Sequence, residues 1–455
     1  MFASVLREIT GYFDKRALIS TFFPVLVFLG GTVVVVWTTT AGVDGAVKSW
    51  SARPATVQVV LIAAFLILVA FLTFVLGNLR EWQDRMCQGY WPTWAAKPRD
   101  WLARRQRAAR KALIDEDEAL QRREEALAVE RATLPDPADT TPGTLSDDAF
   151  SQSFSKLDAL LTQHPPTWPD DTAAELTELV RSVRDKPDAQ VHAVTALALK
   201  LDGHLAVVEQ DVRDQRAEIQ QNLFFRYPQP PADVQPTAMG NVVRAAEQHP
   251  SIRYRLDAVV LWTRLQPVLP KDFAETVKDA KVSVDLLLTM AAFLPLFGVP
   301  LTWWLVWRLP RIDGVAAWLT VIAIALCAFA LCRRAARMTP VVLALAGLLV
   351  FHTFAGFWQP VLRVEVALLW TAGLVVLAYL LYQNATHAAL AYTERLRTAF
   401  DLYRWKLLEE LRLALPGTLA EEQKTWGSLS QFLYRGGATD PSAIHYEHPK
   451  PDATA

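Results

Sequence analysis

The sequence predicts an all-α fold: a polytopic membrane protein with six transmembrane helices, arranged 2 + 4, and a large helical cytoplasmic insert. Three observations carry this. Six apolar runs approach the roughly 20 residues that a helix needs to cross the hydrocarbon core. Hydrophobic residues make up 52% of the 455, with 16 Trp, and they arrive in blocks. Between the second and third blocks the chain is instead heavily charged, with apolar residues recurring at helical spacing.

The first two runs are Leu18–Thr38 and Val57–Gly77. Asp14, Lys15 and Arg16 stand too close to the first for a cleavable signal, and no small-residue cleavage site follows, so it reads as a retained helix. Four more runs cluster later: Val284–Trp307, Val315–Cys332, Thr339–Trp358 and Val366–Leu381. Orientation follows from basic residues in the flanks. Nine Lys and Arg lie between Arg80 and Lys111, against two, Lys48 and Arg53, in the loop Thr39–Ala55. The N-terminus, the insert and the C-terminus are therefore expected in the cytoplasm; the basic residues are mostly Arg, which points to a bacterial chain and so to an inner membrane. The expected domains are a membrane hairpin at 1–78, a cytoplasmic helical domain at 79–283, four membrane helices at 284–384, and a C-terminal helix with a disordered tail at 385–455.

After the second run, "GYWPTWAAKPRDWLARR" mixes Trp, Pro and Arg. Amphipathic rings favour the headgroup level, and basic side chains gain about 1 kcal/mol each near anionic lipid. Trp91, Trp94, Arg99, Trp101, Arg104 and Arg105 are the candidate lipid contacts; packing on their own domain is the alternative.

Within the insert, Ala112/Leu113, Ala119/Leu120 and Ala126/Leu127 repeat every seven residues, giving one narrow apolar seam. "LPDPADTTPGTLSDDA" breaks it, and short helices are expected near Phe150–Gln163 and Asp171–Arg184. A second long helix, about Asp188–Phe224, carries Leu201, Leu205, Val208, Val212 and Ile219, interrupted by Gln215. Neither seam is wide enough to stand alone, so an antiparallel hairpin or a compact bundle follows. Beyond the connector "RYPQPPADVQP", Thr237 is placed to cap a helix burying Met239, Val242, Val243 and Ala246, which ends at His249-Pro250. A second short helix, Tyr254–Leu265, buries Leu256, Val259, Val260 and Leu265, and Pro270 opens the next.

"PTAMGNVVRAAEQHPSIRYRLDAVVLW", with "GYWP" and "AFDLYRWKLLEELRLALP", resembles a family of bacterial multi-pass membrane proteins of unknown function. The resemblance implies the same membrane architecture and no activity. Where the pattern has Arg-Leu this chain has Ala238-Met239, where Gly follows Tyr it has Arg255, and where Pro follows Trp it has Thr263.

Asn241, Arg244, Arg253, Arg255 and Asp257 form the candidate structural or anion cluster. Glu247 and Asp257 stand close enough in sequence to pair with the arginines, which favours a folded collar over a ligand site. Cys87, Cys327 and Cys332 are too few and scattered for a disulfide framework or a zinc site. No nucleophile elbow, metalloprotease helix, phosphate loop or Cys-x-x-Cys occurs, so no catalytic, cofactor or metal residue is assigned. Near-neutral charge, 46 basic against 47 acidic, argues against nucleic acid. Midway along the fifth run, His352 and Thr353 are the candidate intramembrane polar site, since polar groups there mark pathways or helix contacts. Pro24, Gly30 and Gly31, and Pro295, Gly298 and Pro300, suggest kinks or close helix contacts.

The expected function is a non-enzymatic sensor, scaffold or effector whose cytoplasmic helices engage a protein partner, at a bilayer with anionic headgroups. A homo-oligomer is compatible with it. The alternative is an oligomeric ion channel or transporter.

Overall fold

The computed structural model describes residues 18–132, 190–229, 231–308, 347, 359–437 and 440–447. Ten α-helices are followed here: α1 (Phe23–Ala41), α2 (Val43–Ser51), α3 (Ala55–Gln88), α4 (Ala96–Ala132), α5 (Gln190–Arg226), α6 (Ala238–Tyr254), α7 (Ala258–Leu265), α8 (Lys271–Arg308), α9 (Gln359–Glu410) and α10 (Leu419–Arg435). A π-helical turn, Leu18–Phe22, leads into α1. Among the described residues there is no strand, and one isolated bridge joins Leu413 to Tyr446. Among the described residues, four stretches are long and apolar enough to cross a membrane: that beginning at Leu18, and parts of α3, α8 and α9. The runs expected at Val315–Cys332 and Thr339–Trp358, His352 and Thr353 with them, lie outside the described residues, as do Phe150–Gln163 and Asp171–Arg184.

The chain divides into two compact units, 1–106 with 228–455, and 107–227. Residues 79–106 and 228–283 therefore group with the membrane-length helices.

In the larger unit, α8 and α9 pack antiparallel along their length. Phe273 meets Tyr403 at one end (5.1 Å), and Trp303 Nε1 donates to Thr371 Oγ1 towards the other (3.2 Å). Gly298 lets the two approach: a Cβ there would lie 2.9 Å from Leu374 Cδ1. Phe28 of α1 packs edge-on against Phe293 and stacks on Phe297 of α8, with Val25 and Val69 buried beside them. At about 1.5 Å per residue, the 52 residues of α9 extend roughly 78 Å, more than twice a hydrocarbon core. Apolar segment and charged segment share one helix, so no loop separates membrane end from collar.

The collar is α6, α7, the last turns of α9, and α10. Trp426, Leu256, Leu261, Leu265 and Leu408 are fully enclosed in its core. Thr237 caps α6 as expected, its Oγ1 accepting from Gly240 N (3.1 Å). Three expectations need correction. The α6 helix does not end at His249-Pro250 but runs on to Tyr254, because the buried His249 ring is held from α9. Leu256 and Leu265 are buried as expected, but α7 starts only at Ala258, its inner face takes in Ala258 and Leu261, and Val259 is exposed. Within the tail, residues 440–447 are held in place: Ala414 N donates to His445 O (2.9 Å) and Glu447 N to Arg412 O (2.8 Å). A further helix, α2, occupies the loop between the first two runs.

In the smaller unit, α4 and α5 run antiparallel. Arg131 bonds Asp202 and Glu209, Arg213 bonds Glu124, and Arg216 bonds Asp117 and Glu124, at 2.5 to 3.1 Å. The partners run in reverse order along the two helices: Asp117 meets Arg216, Glu124 meets Arg213 and Arg216, and Arg131 meets Glu209 and Asp202. Leu127, Leu205, Val212 and Ile219 are buried, and so is Glu209. The polar interruption is therefore Glu209 and Arg216; Gln215 is exposed. These ion pairs fix register, because a slipped pairing would leave the groups unmatched. Val212 is 1% exposed. Val212→Asp should destabilise the pair by about 3 kcal/mol, since it buries an unpaired carboxylate. Amide exchange in the full chain checks this: unchanged protection across 202–226 would mean the helices do not pack through that layer.

Candidate functional site

The three sequence patterns that stand out in the chain meet in the collar. "GYWP" closes α3: Gly89 takes φ 95°, and Gly89 and Tyr90 return hydrogen bonds to Met86 and Arg85 (3.1 and 2.9 Å). Pro236 sits directly on Gly89, where a Cβ would lie 2.5 Å from its Cγ. A Cβ on Gly240 would lie 2.0 Å from the Gln88 carbonyl oxygen. The start of α6 is thus pressed onto the end of α3 at two glycines. Asn241, 1% exposed, staples the Pro-rich connector there: its Oδ1 accepts from Gln235 N (2.6 Å) and its Nδ2 donates to Gln235 O (3.2 Å).

Where α3, α8 and the π-turn converge lies a closed set of ionised groups. Lys281 Nζ reaches Asp84 Oδ2 (2.7 Å) and Asp285 Oδ1 (2.8 Å). Arg80 faces Asp285 from the other side (3.5 Å) and donates to Ser20 Oγ (2.6 Å) and Thr21 Oγ1 (2.8 Å). Asp285 is 6% exposed, and a buried charge is tolerated only when paired. Four side chains from two helices thereby tie the first three membrane-length segments together. These residues stood outside the sequence candidates: Asp285 opens the third apolar run, and only its position one helical turn after Lys281 hinted at a pair.

"AFDLYR" supplies the third contact. His249 Nε2 lies 3.0 Å from Asp401 Oδ1; a carboxylate only accepts, so Nε2 carries the proton. Tyr254 donates its hydroxyl to the same oxygen (2.9 Å). Burial, and then the bond to Asp401, push the Tyr254 phenol up, so it remains a donor. The Arg404 guanidinium lies 3.9 Å from the centre of the Tyr254 ring and grips Glu422 of α10 bidentately (2.7 and 3.1 Å). Glu422 also accepts from Trp426 Nε1 (3.2 Å). One chain of polar contacts thus runs through α6, α9 and α10.

The five residues expected to cluster do separate jobs. Arg244 pairs with Glu247 (3.3 Å) and Asp233 (3.5 Å). Arg253 reaches Asp401 of α9 (3.9 Å). Arg255 ends α6 at φ 57° and is exposed. Asp257 caps α7, accepting from Val259 N (2.9 Å) and Val260 N (3.1 Å), and holds no arginine. The five thus have different partners. Of the candidate lipid contacts, Trp94, Trp101, Arg104 and Arg105 are exposed, with Arg105 over the Trp101 ring (6.0 Å). Trp91 turns inward to donate to Met86 O (2.7 Å), and Arg99 pairs with Asp100 (3.1 Å).

Between α3, α6, α7, α8 and α9 lies a cavity of about 300 Å³. Met239, Val243, Trp262, Val284, Leu396 and Phe400 line most of it; Asp84, Lys281, Glu247, Gln88 and Tyr392 supply its polar wall. Burial pushes the Glu247 carboxyl up, against the pull of Arg244. Among the described residues no group of His, Cys, Asp and Glu could hold a metal ion. No protein-family model, curated protein or solved structure matches the chain, so the collar is interpreted from its own chemistry.

Proposed function

We propose that the chain is a non-enzymatic bacterial inner-membrane protein, a sensor, scaffold or effector whose cytoplasmic helices engage a protein partner. In this reading both termini are cytoplasmic, and Trp94, Trp101, Arg104 and Arg105 rest on an anionic leaflet. The resemblance to bacterial multi-pass proteins belongs to the same proposal. The observation that carries it is the closure of the charged groups. Lys281, Asp84, Asp285 and Arg80 face one another, whereas carriers and channels present such groups to a path. Charged side chains of the helix pair at 107–227 that point away from its seam, such as Glu116 and Glu218, are exposed and available to a partner.

A photoreactive residue at Glu116 or Glu218 should crosslink the full chain in cells to a cytoplasmic protein, and the purified chain in liposomes should pass no ions. A reproducible conductance with no crosslinked partner would replace this reading with the oligomeric channel or transporter.

A further inference from the structure

We propose that the collar cavity binds a single-chain, uncharged membrane amphiphile, such as a long-chain alcohol, with its alkyl chain against α6, α7 and α9. The volume, about 300 Å³, stands at the lower end of small-molecule pockets, which run from about 300 to 1,000 Å³. Its walls are mostly apolar and come from five helices, so an alkyl chain entering it leaves water on the sides those helices cover.

The charges in the wall decide the head group. Lys281 is held by Asp84 (2.7 Å) and Asp285 (2.8 Å), and Glu247 by Arg244 (3.3 Å). An anionic or cationic ligand would have to break one of these pairs or be buried without a counterion, and both are unfavourable. The Gln88 amide and the Tyr392 hydroxyl are the uncharged polar groups of the wall, and they suit a hydroxyl. The source is argued from position. Val284, in the wall, begins the apolar run of α8, so the cavity lies at the level where that helix leaves its membrane-length segment. A bilayer amphiphile has a short route to this site, whereas a soluble metabolite has no charged anchor to find in it.

The test uses the full chain in liposomes and three diazirine-bearing C12 probes: an alcohol, a carboxylate and a trimethylammonium. The alcohol should label Met239, Val243, Trp262 or Leu396 about tenfold more than either charged probe, because a buried uncompensated charge is penalised. Excess unlabelled dodecanol should abolish those adducts, and Val243→Trp should remove them by filling the space. If Val243→Trp does not fold, the competition in the unaltered chain decides alone. Adducts confined to outward-facing residues such as Phe71 and Phe74, equal labelling by all three probes, or labelling that survives competition would overturn the proposal.

Discussion

Gly240→Ala should be among the most damaging single-methyl changes available in this chain. Its new Cβ would lie 2.0 Å from the Gln88 oxygen and 2.8 Å from the Gln88 carbonyl carbon, both backbone atoms at the end of α3. Neither can rotate away as a side chain would. Relief requires α6 to lift from α3, which strains the Asn241 staple and the buried Met239 and Val242 together. Overpacking typically costs 1–3 kcal/mol, and a clash with backbone belongs at about 3 kcal/mol or above. Gly427→Ala is the control. Gly427 lies inside α10 with nothing within 4 Å of its added Cβ, so alanine there should be neutral or stabilise by up to about 1 kcal/mol. Thermal unfolding of the two variants in detergent separates them. Equal melting temperatures would mean that α6 is not seated on α3 as described.

That contact also shows where sequence reasoning stopped. Thr237 caps α6 as its place in the sequence predicts, because a cap is a local signal. What Gly240 touches is not local. Gln88 is 152 residues earlier, and no periodicity in either segment announces the meeting. The membrane-length helices were legible because apolar length is a property of one segment at a time. The arginines near Glu247 and Asp257 misled because closeness in sequence was taken for closeness in space: Arg244 did find Glu247, while Arg253 found Asp401 on α9 and Asp257 became a cap. Val259 was misplaced because a one-residue rotation of an eight-residue helix changes its buried face, and so short a helix leaves little pattern to fix the phase. At Arg255 the backbone needs φ 57°, which Gly adopts without strain.

Lys281→Met should be the second large loss, and it tests the closed charge set directly. Lys281 holds two carboxylates, Asp84 on α3 at 2.7 Å and Asp285 on its own helix at 2.8 Å. Methionine keeps the length and apolar stem but leaves both acids without their shared cation. Arg80, 3.5 Å from Asp285, still faces one of them; Asp84 then has none within ion-pair distance. Removing one partner of a buried ion pair costs about 3–5 kcal/mol, because the remaining charge stays desolvated. The outcome expected is a clear fall in melting temperature in detergent. Lys281→Met combined with Asp84→Asn should recover a large part of it, since the orphaned charge disappears with its partner. If the double variant is as unstable as the sum of the two single ones, Lys281 and Asp84 are not coupled. The closed set would then be reduced to Arg80 and Asp285, leaving Lys281 and Asp84 free to face an ion path.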